Sequence, residues 1–177
     1  MQRMNRPGMK FQHSGEPLVA DRFIYTAEDE SATRRLGEVL ADTLPAGSVV
    51  SLIGTLGAGK TCLTSAVARR LGVPEGETAS PTFVLIKEYK SGRIPVYHFD
   101  TYRLKDSDEF YELGPDEYFD GDGLCFVEWG DRFEEVLPPD RLDIVITVEG
   151  PAARRMELVG RGGFPSEVLD AIAAELG

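Results

Sequence analysis

The sequence predicts an α/β fold, a three-layer α/β/α sandwich around a mixed sheet, and three observations carry that prediction. Residues 48–53 and 124–127 are short apolar runs of the composition that buried parallel strands require. Apolar residues recur at helical spacing at Leu36, Val39, Leu40 and Leu44, and again over residues 62–71, ahead of Gly72 as a C-terminal cap. Between the first strand and the second helix lies Gly54-Thr55-Leu56-Gly57-Ala58-Gly59-Lys60-Thr61, which fits Gly-x-x-x-x-Gly-Lys-Thr at every fixed position. Strand, glycine loop and helix in that order are the frame of a P-loop NTPase.

The other elements follow along the chain. Residues 1–20 mix Pro7, Gly8, Gly15 and Pro17 with Arg3, Arg6 and Lys10 and lack apolar periodicity, so a disordered tail is expected ahead of a single domain at 21–177. Residues 23–25 form a strand, and Thr26 with Asp29 resembles a capping box that opens a helix over about 27–44. Residues 83–89 and 94–99 are strand-like and joined by Lys90-Ser91-Gly92-Arg93, a hairpin that places antiparallel strands in the sheet. Residues 106–122 carry eight carboxylates and no Lys or Arg, which reads as two short helices with solvated faces, or as a docking surface. After the strand at 124–127 come a short helix near 131–137, a Pro138-Pro139 break, a hairpin from 142–148 and 156–159, and an amphipathic helix at 166–176.

Composition narrows the function. With 42% hydrophobic and 28% charged residues the 177-residue chain is ordinary for a globular protein. No run approaches the roughly 18 apolar residues of a membrane span, and no apolar segment resembles a secretory signal, so a cytoplasmic location without membrane association is expected. A formal net charge of −11 argues against a broad electropositive face for DNA or RNA. The two cysteines, Cys62 and Cys125, have no metal-site spacing and read as reduced packing residues, although Cys62 beside the loop is a candidate for attack by thiol reagents. His98 alone reads as a hydrogen-bonded wall residue.

In the glycine loop, backbone amides from Leu56 through Gly57, Ala58, Gly59 and Lys60 to Thr61 are placed to cradle the α- and β-phosphates of a nucleotide. Lys60 is placed to bridge β and γ, and the Thr61 hydroxyl to hold Mg2+. Such a loop needs a carboxylate at the end of a neighbouring strand, and two qualify: Glu128 after Phe126-Val127 and Asp100 after His98-Phe99. Ser80-Pro81-Thr82 lies where a switch segment presents a hydroxyl to the metal and γ-phosphate. None of the five lysines sits in an Asn/Thr-Lys-x-Asp guanine-reading pattern, which argues against a GTPase of the common type.

The phosphate loop, Ser80-Pro81-Thr82-Phe83, Tyr97-His98-Phe99-Asp100-x-Tyr102-Arg103-Leu104 and Glu128-Trp129, in this order, closely resemble the TsaE (YjeE) family of bacterial tRNA threonylcarbamoyladenosine biosynthesis ATPases over about residues 22–160. The resemblance implies an ATPase that acts with TsaB and TsaD to install threonylcarbamoyl on the adenosine beside the anticodon in tRNAs reading codons that begin with A. Hydrolysis would reset the TsaB and TsaD pair between turnovers, with tRNA met only indirectly. It further implies that Lys60 and Thr61 bind phosphate and magnesium, and that Glu128 completes the metal site. Asp100 would order the attacking water or the metal shell, and Thr82 would be the switch threonine. Glu30, Thr33 and Cys62 fall at nucleotide-contacting positions, and Gly150 in a loop near the base. Thr55 and Cys62 depart from the family pattern, which commonly has an acidic residue and a second hydroxyl there. Two other readings use the same loop: a small-molecule kinase with Asp100 as base, and a nucleotide-gated assembly factor.

Overall fold

The computed structural model describes residues 22–78 and 84–177. The expected tail at 1–20 and the switch residues Ser80 and Thr82 lie outside them. Seven strands form one sheet in the order β1-β7-β6-β2-β5-β4-β3, with β1 Arg22–Ala27, β2 Val49–Ile53, β3 Ile86–Tyr89, β4 Val96–Asp100, β5 Leu124–Glu128, β6 Arg141–Val148 and β7 Arg154–Arg161. The four central strands, β6, β2, β5 and β4, are parallel. At the edges β3 runs antiparallel to β4, and β7 and β1 continue antiparallel from β6. The expected mixed sheet is therefore the one observed.

The sheet separates two cores. On one face α1 Glu30–Thr43, α2 Lys60–Arg70 and α5 Ser166–Leu176 pack on Val50, Leu52, Leu124, Phe126 and Ile144. On the other, the alternate residues Val49, Cys125 and Val127 meet Phe99, Phe110, Phe133 and Leu137, as the two-residue period of a strand requires. The acidic segment supplies this thinner layer through α3 Ser107–Tyr111 and α4 Pro115–Phe119. Its aromatic residues turn inward, with Phe99 against Phe110, Tyr118 and Phe119 at ring separations of 6.0, 5.3 and 5.7 Å. Two short helices with outward carboxylates account for this stretch.

Three expected boundaries move. Helix α1 begins at Glu30, capped by Asp29, whose carboxylate accepts from the Ala32 amide at 2.9 Å. Thr26 does not cap it, because Thr26 and Ala27 are taken by pairing with Arg155 and Arg154 of β7. Strand β3 begins only at Ile86, and the turn after it is tied to the end of α2 by Arg93 N–H donating to Leu71 C=O at 2.8 Å. The helix expected near 131–137 is a single 3-10 turn, Gly130–Arg132. Phe133 leaves helical geometry at φ −139°, and a separate turn, closed by Val136 N–H donating to the Phe133 carbonyl at 3.0 Å, precedes the Pro138-Pro139 break. Arg132 instead donates to the carbonyls of Tyr102 and Leu104 at 2.7 and 2.8 Å.

Helix α2 starts at Lys60, two residues before its apolar periodicity, because Gly59 at φ 111° steers the loop straight into helical geometry. It packs closely on α1. A Cβ on Gly37 would lie 2.5 Å from that of Ala66 and 3.0 Å from the Leu63 carbonyl oxygen, so glycine sets the separation of the two helices.

Candidate phosphate-loop site

The loop at 54–59 leaves the C-terminal end of β2 between β5 and β6, and α2 follows it directly. Gly57 and Gly59 have φ of 77° and 111°, values that side chains other than glycine rarely adopt. A Cβ at either position would meet no atom within 4 Å, so the backbone conformation rather than crowding calls for glycine there. Lys60 is buried, and its Nζ donates to the carbonyls of Gly54 and Thr55 at 2.7 and 2.9 Å while lying 3.9 Å from the Trp129 ring centroid. Burial pushes its ammonium below the ordinary value, against the pull of Glu128, Asp100 and Asp131.

Parallel pairing of β2 with β5 sets Leu52 opposite Glu128, so the carboxylate emerges beside the start of α2. Thr61 Oγ1 donates to Glu128 Oε1 at 2.6 Å, and His98 Nε2 donates to the same oxygen at 2.7 Å. A carboxylate can only accept, so Nε2 carries the proton. Burial pushes the Glu128 carboxyl up, but His98, the Thr61 hydroxyl and the Lys60 charge outweigh it, and the group sits below its ordinary value. The Thr101 hydroxyl holds the Glu128 backbone carbonyl at 2.7 Å. Asp100 lies opposite Glu128 on β4 and accepts from the Tyr102 amide at 3.1 Å.

A cleft of about 190 Å³ lies on the loop itself, lined by residues 56–62 and by Glu128, and two larger clefts flank it. One of about 340 Å³ runs along Gly57, Ala58 and Gly59 between Glu30 and Thr33 of α1 and Pro151 and Ala152 of the β6–β7 turn. Gly150 itself does not line it but presents its carbonyl to Arg154. The other, of about 440 Å³, lies between α1 and α2 and includes Thr61, Cys62 and Arg34. Cys62 is half-buried and its thiol is pushed up by burial, with a further rise from Glu30, which lowers the thiolate fraction and weighs against the expected thiol reactivity.

Thus Lys60, Thr61, Glu128 and Asp100 converge as the sequence suggested, with Glu30, Thr33 and Cys62 at the loop's flank. Two residues escaped sequence reasoning. His98, fully buried in β4, was read as a wall residue, and only its place two before Asp100 on a strand neighbouring Glu128 could have revealed its partner. Arg154 reaches the loop carbonyls from β7, and no local signal marks that contact.

A phosphate loop between a parallel strand and a helix, with a buried carboxylate from the adjacent strand on its threonine, places the chain in the P-loop α/β class. A model of the TsaE family, threonylcarbamoyl adenosine biosynthesis protein TsaE, matches residues 27–156. The tRNA threonylcarbamoyladenosine biosynthesis protein TsaE of Bacillus subtilis is 44% identical over 130 residues, covering 73% of this chain and 80% of that protein. Its Nostoc counterpart is 38% identical over 156 residues, covering 86% and 92%. The crystal structure of Bacillus subtilis YdiB superposes with a TM-score of 0.75 at 32% identity, covering 89% of this chain and 97% of that one. The chain belongs to the TsaE family.

Proposed function

We propose that this chain binds ATP with Mg2+ and hydrolyses it in support of threonylcarbamoyladenosine (t6A) formation in tRNA, acting with TsaB and TsaD. The biosynthetic role follows from membership of the TsaE family. The nucleotide chemistry is our reading of the site, and the observation that carries it is the 2.6 Å hydrogen bond between Thr61 and Glu128 at the start of α2.

That pair suits Mg2+, which takes oxygen ligands and keeps several waters. Among the described residues no group of three or more His, Cys, Asp or Glu forms a metal cage, so the ion would share its shell with nucleotide phosphates and water. Thr61 and Glu128 would hold it, and bound there it would neutralise charge on the β- and γ-phosphates.

The residues themselves do the rest. Amides of the loop other than that of Ala58, which is bonded to the Thr55 carbonyl at 3.1 Å, and those of the first turn of α2 would offer donors and the positive end of a helix dipole to phosphate. Lys60 would exchange the Gly54 and Thr55 carbonyls for phosphate oxygens, a stronger charge-assisted contact. Glu128, held by Thr61 and His98, keeps its second oxygen for a water, and Asp100 stands beside it as acceptor for the attacking water's proton. Among the described residues no helix is long and apolar enough to cross a membrane, and a cytoplasmic site of action goes with this reading.

The test measures ATP hydrolysis by the purified chain alone and with cognate TsaB and TsaD, while tRNA threonylcarbamoylation is followed over many turnovers with Lys60→Ala as control. Stimulation by the partners, with modification stalling in the variant, is expected. Nucleotide binding without stimulation and without effect on modification overturns the proposal and favours a kinase with another acceptor.

A further inference from the structure

Arg154 begins β7 and is locked there by backbone pairing to Ala27 on one side and Val148 on the other. From that fixed root its guanidinium crosses to two separate segments. Nε donates to the Ala58 carbonyl at 3.0 Å and Nη2 to the Gly57 carbonyl at 3.4 Å, both in the phosphate loop. Nη1 donates to the carbonyls of Gly150 and Ala153 at 3.1 and 2.9 Å, both in the β6–β7 turn. The loop and the turn both line the 340 Å³ cleft, together with Arg154 itself and with Glu30 and Thr33. One side chain therefore ties together two of the segments that line that cleft.

We propose that Arg154 is a positioning residue that holds the phosphate loop and the β6–β7 turn at a fixed spacing and thereby sets affinity for nucleoside di- and triphosphates. The peptide unit is planar and trans, so its carbonyl and amide point in opposite directions. With the Ala58 carbonyl fixed on Nε, the Gly59 amide is turned away from the guanidinium, while the Ala58 amide is already spent on the Thr55 carbonyl at 3.1 Å. Glycines at 57 and 59 leave the loop free to adopt many other conformations, and the arginine removes that freedom before a ligand arrives. A lysine can substitute only in part, because it lacks the planar fork that reaches several carbonyls at once.

The inference rests on the nucleotide-binding reading above, and the experiment separates the two. Dissociation constants for ADP with Mg2+ are measured by calorimetry on the full chain for wild type, Arg154→Met and Arg154→Lys, alongside thermal melts and KM and kcat for ATP in the presence of TsaB and TsaD. The expected result is a rise in Kd of about tenfold or more for Arg154→Met, only partly recovered by Arg154→Lys, with the loss in KM larger than that in kcat. Wild-type binding with an unaltered Kd in a folded Arg154→Met overturns this inference alone, as does a fall in kcat with KM unchanged. If Arg154→Met melts early, Arg154→Lys carries the test, and a wild-type Kd there overturns it. No ADP binding by the wild type overturns the ATPase reading together with this one.

Discussion

Asp100 and Glu128 are register partners at the ends of the parallel strands β4 and β5, so two carboxylates leave the sheet side by side next to the phosphate loop. Their surroundings differ. Glu128 is 6% exposed and gripped by two side-chain donors, whereas Asp100 is half-buried and held through the Tyr102 amide. Neighbouring carboxylates in unlike environments suit the unlike tasks proposed for them, Glu128 at the metal and Asp100 at the attacking water.

Replacing Glu128 by Gln keeps the volume but removes the charge and one acceptor. Steady-state hydrolysis of ATP is expected to fall by about a hundredfold or more, the scale of a lost charge-stabilising group. Hydrolysis within tenfold of wild type would remove Glu128 from the mechanism.

His98 donates to Glu128, so on the proposed reading it would act through that carboxylate rather than on a ligand. His98→Ala should raise the Mg2+ concentration needed for half-maximal hydrolysis by about 10–100-fold, the usual cost of losing a residue that orients a metal ligand. His98→Gln, which can still donate, should recover part of it. A melting curve shifted equally in both variants, with no change in Mg2+ dependence, would make the histidine purely structural.

Tyr89 is buried, stacks on His98 at 6.5 Å, and its hydroxyl finds no hydrogen-bond partner among the described residues. Burial, with Glu128 nearby, pushes its phenol from 10.0 up to about 12. The folded state thus holds this proton more tightly than the unfolded chain. Its contribution is full below about pH 10 and is lost as the pH rises toward about 12. Tyr89→Phe removes an unsatisfied group, so a gain of about 1 kcal/mol at pH 7 is expected. Denaturant unfolding at pH 7 and 11 should show the variant's advantage widening at the higher pH; a variant less stable at both would reveal a hidden partner for the hydroxyl.

Gly37→Ala drives a methyl into Ala66 and toward the Leu63 carbonyl, where the α2 backbone cannot yield. Overpacking of this kind costs about 1–3 kcal/mol, despite alanine's better helix propensity. Chemical denaturation measures it, and unchanged or higher stability would mean that α1 and α2 can part without loss.

Much of this was legible in the chain itself, for a physical reason. The loop from Gly54 to Thr61, the apolar run of β5 and the periodicity of α1 and α5 are local, each written within a short stretch of neighbouring residues. The chemistry of Lys60 and Thr61 and the candidacy of Asp100 and Glu128 came from that local grammar. Where local signals competed, as at Thr26 and Asp29, strand pairing with β7 decided the boundary. The positioning residues required the fold: His98 meets Glu128 across 30 residues and Arg154 meets Ala58 across 96. Those contacts depend on β5 lying between β2 and β4 and on β7 doubling back along β6. Strand order and register are properties of the whole sheet, so only the tertiary structure could decide which side chains support the phosphate loop.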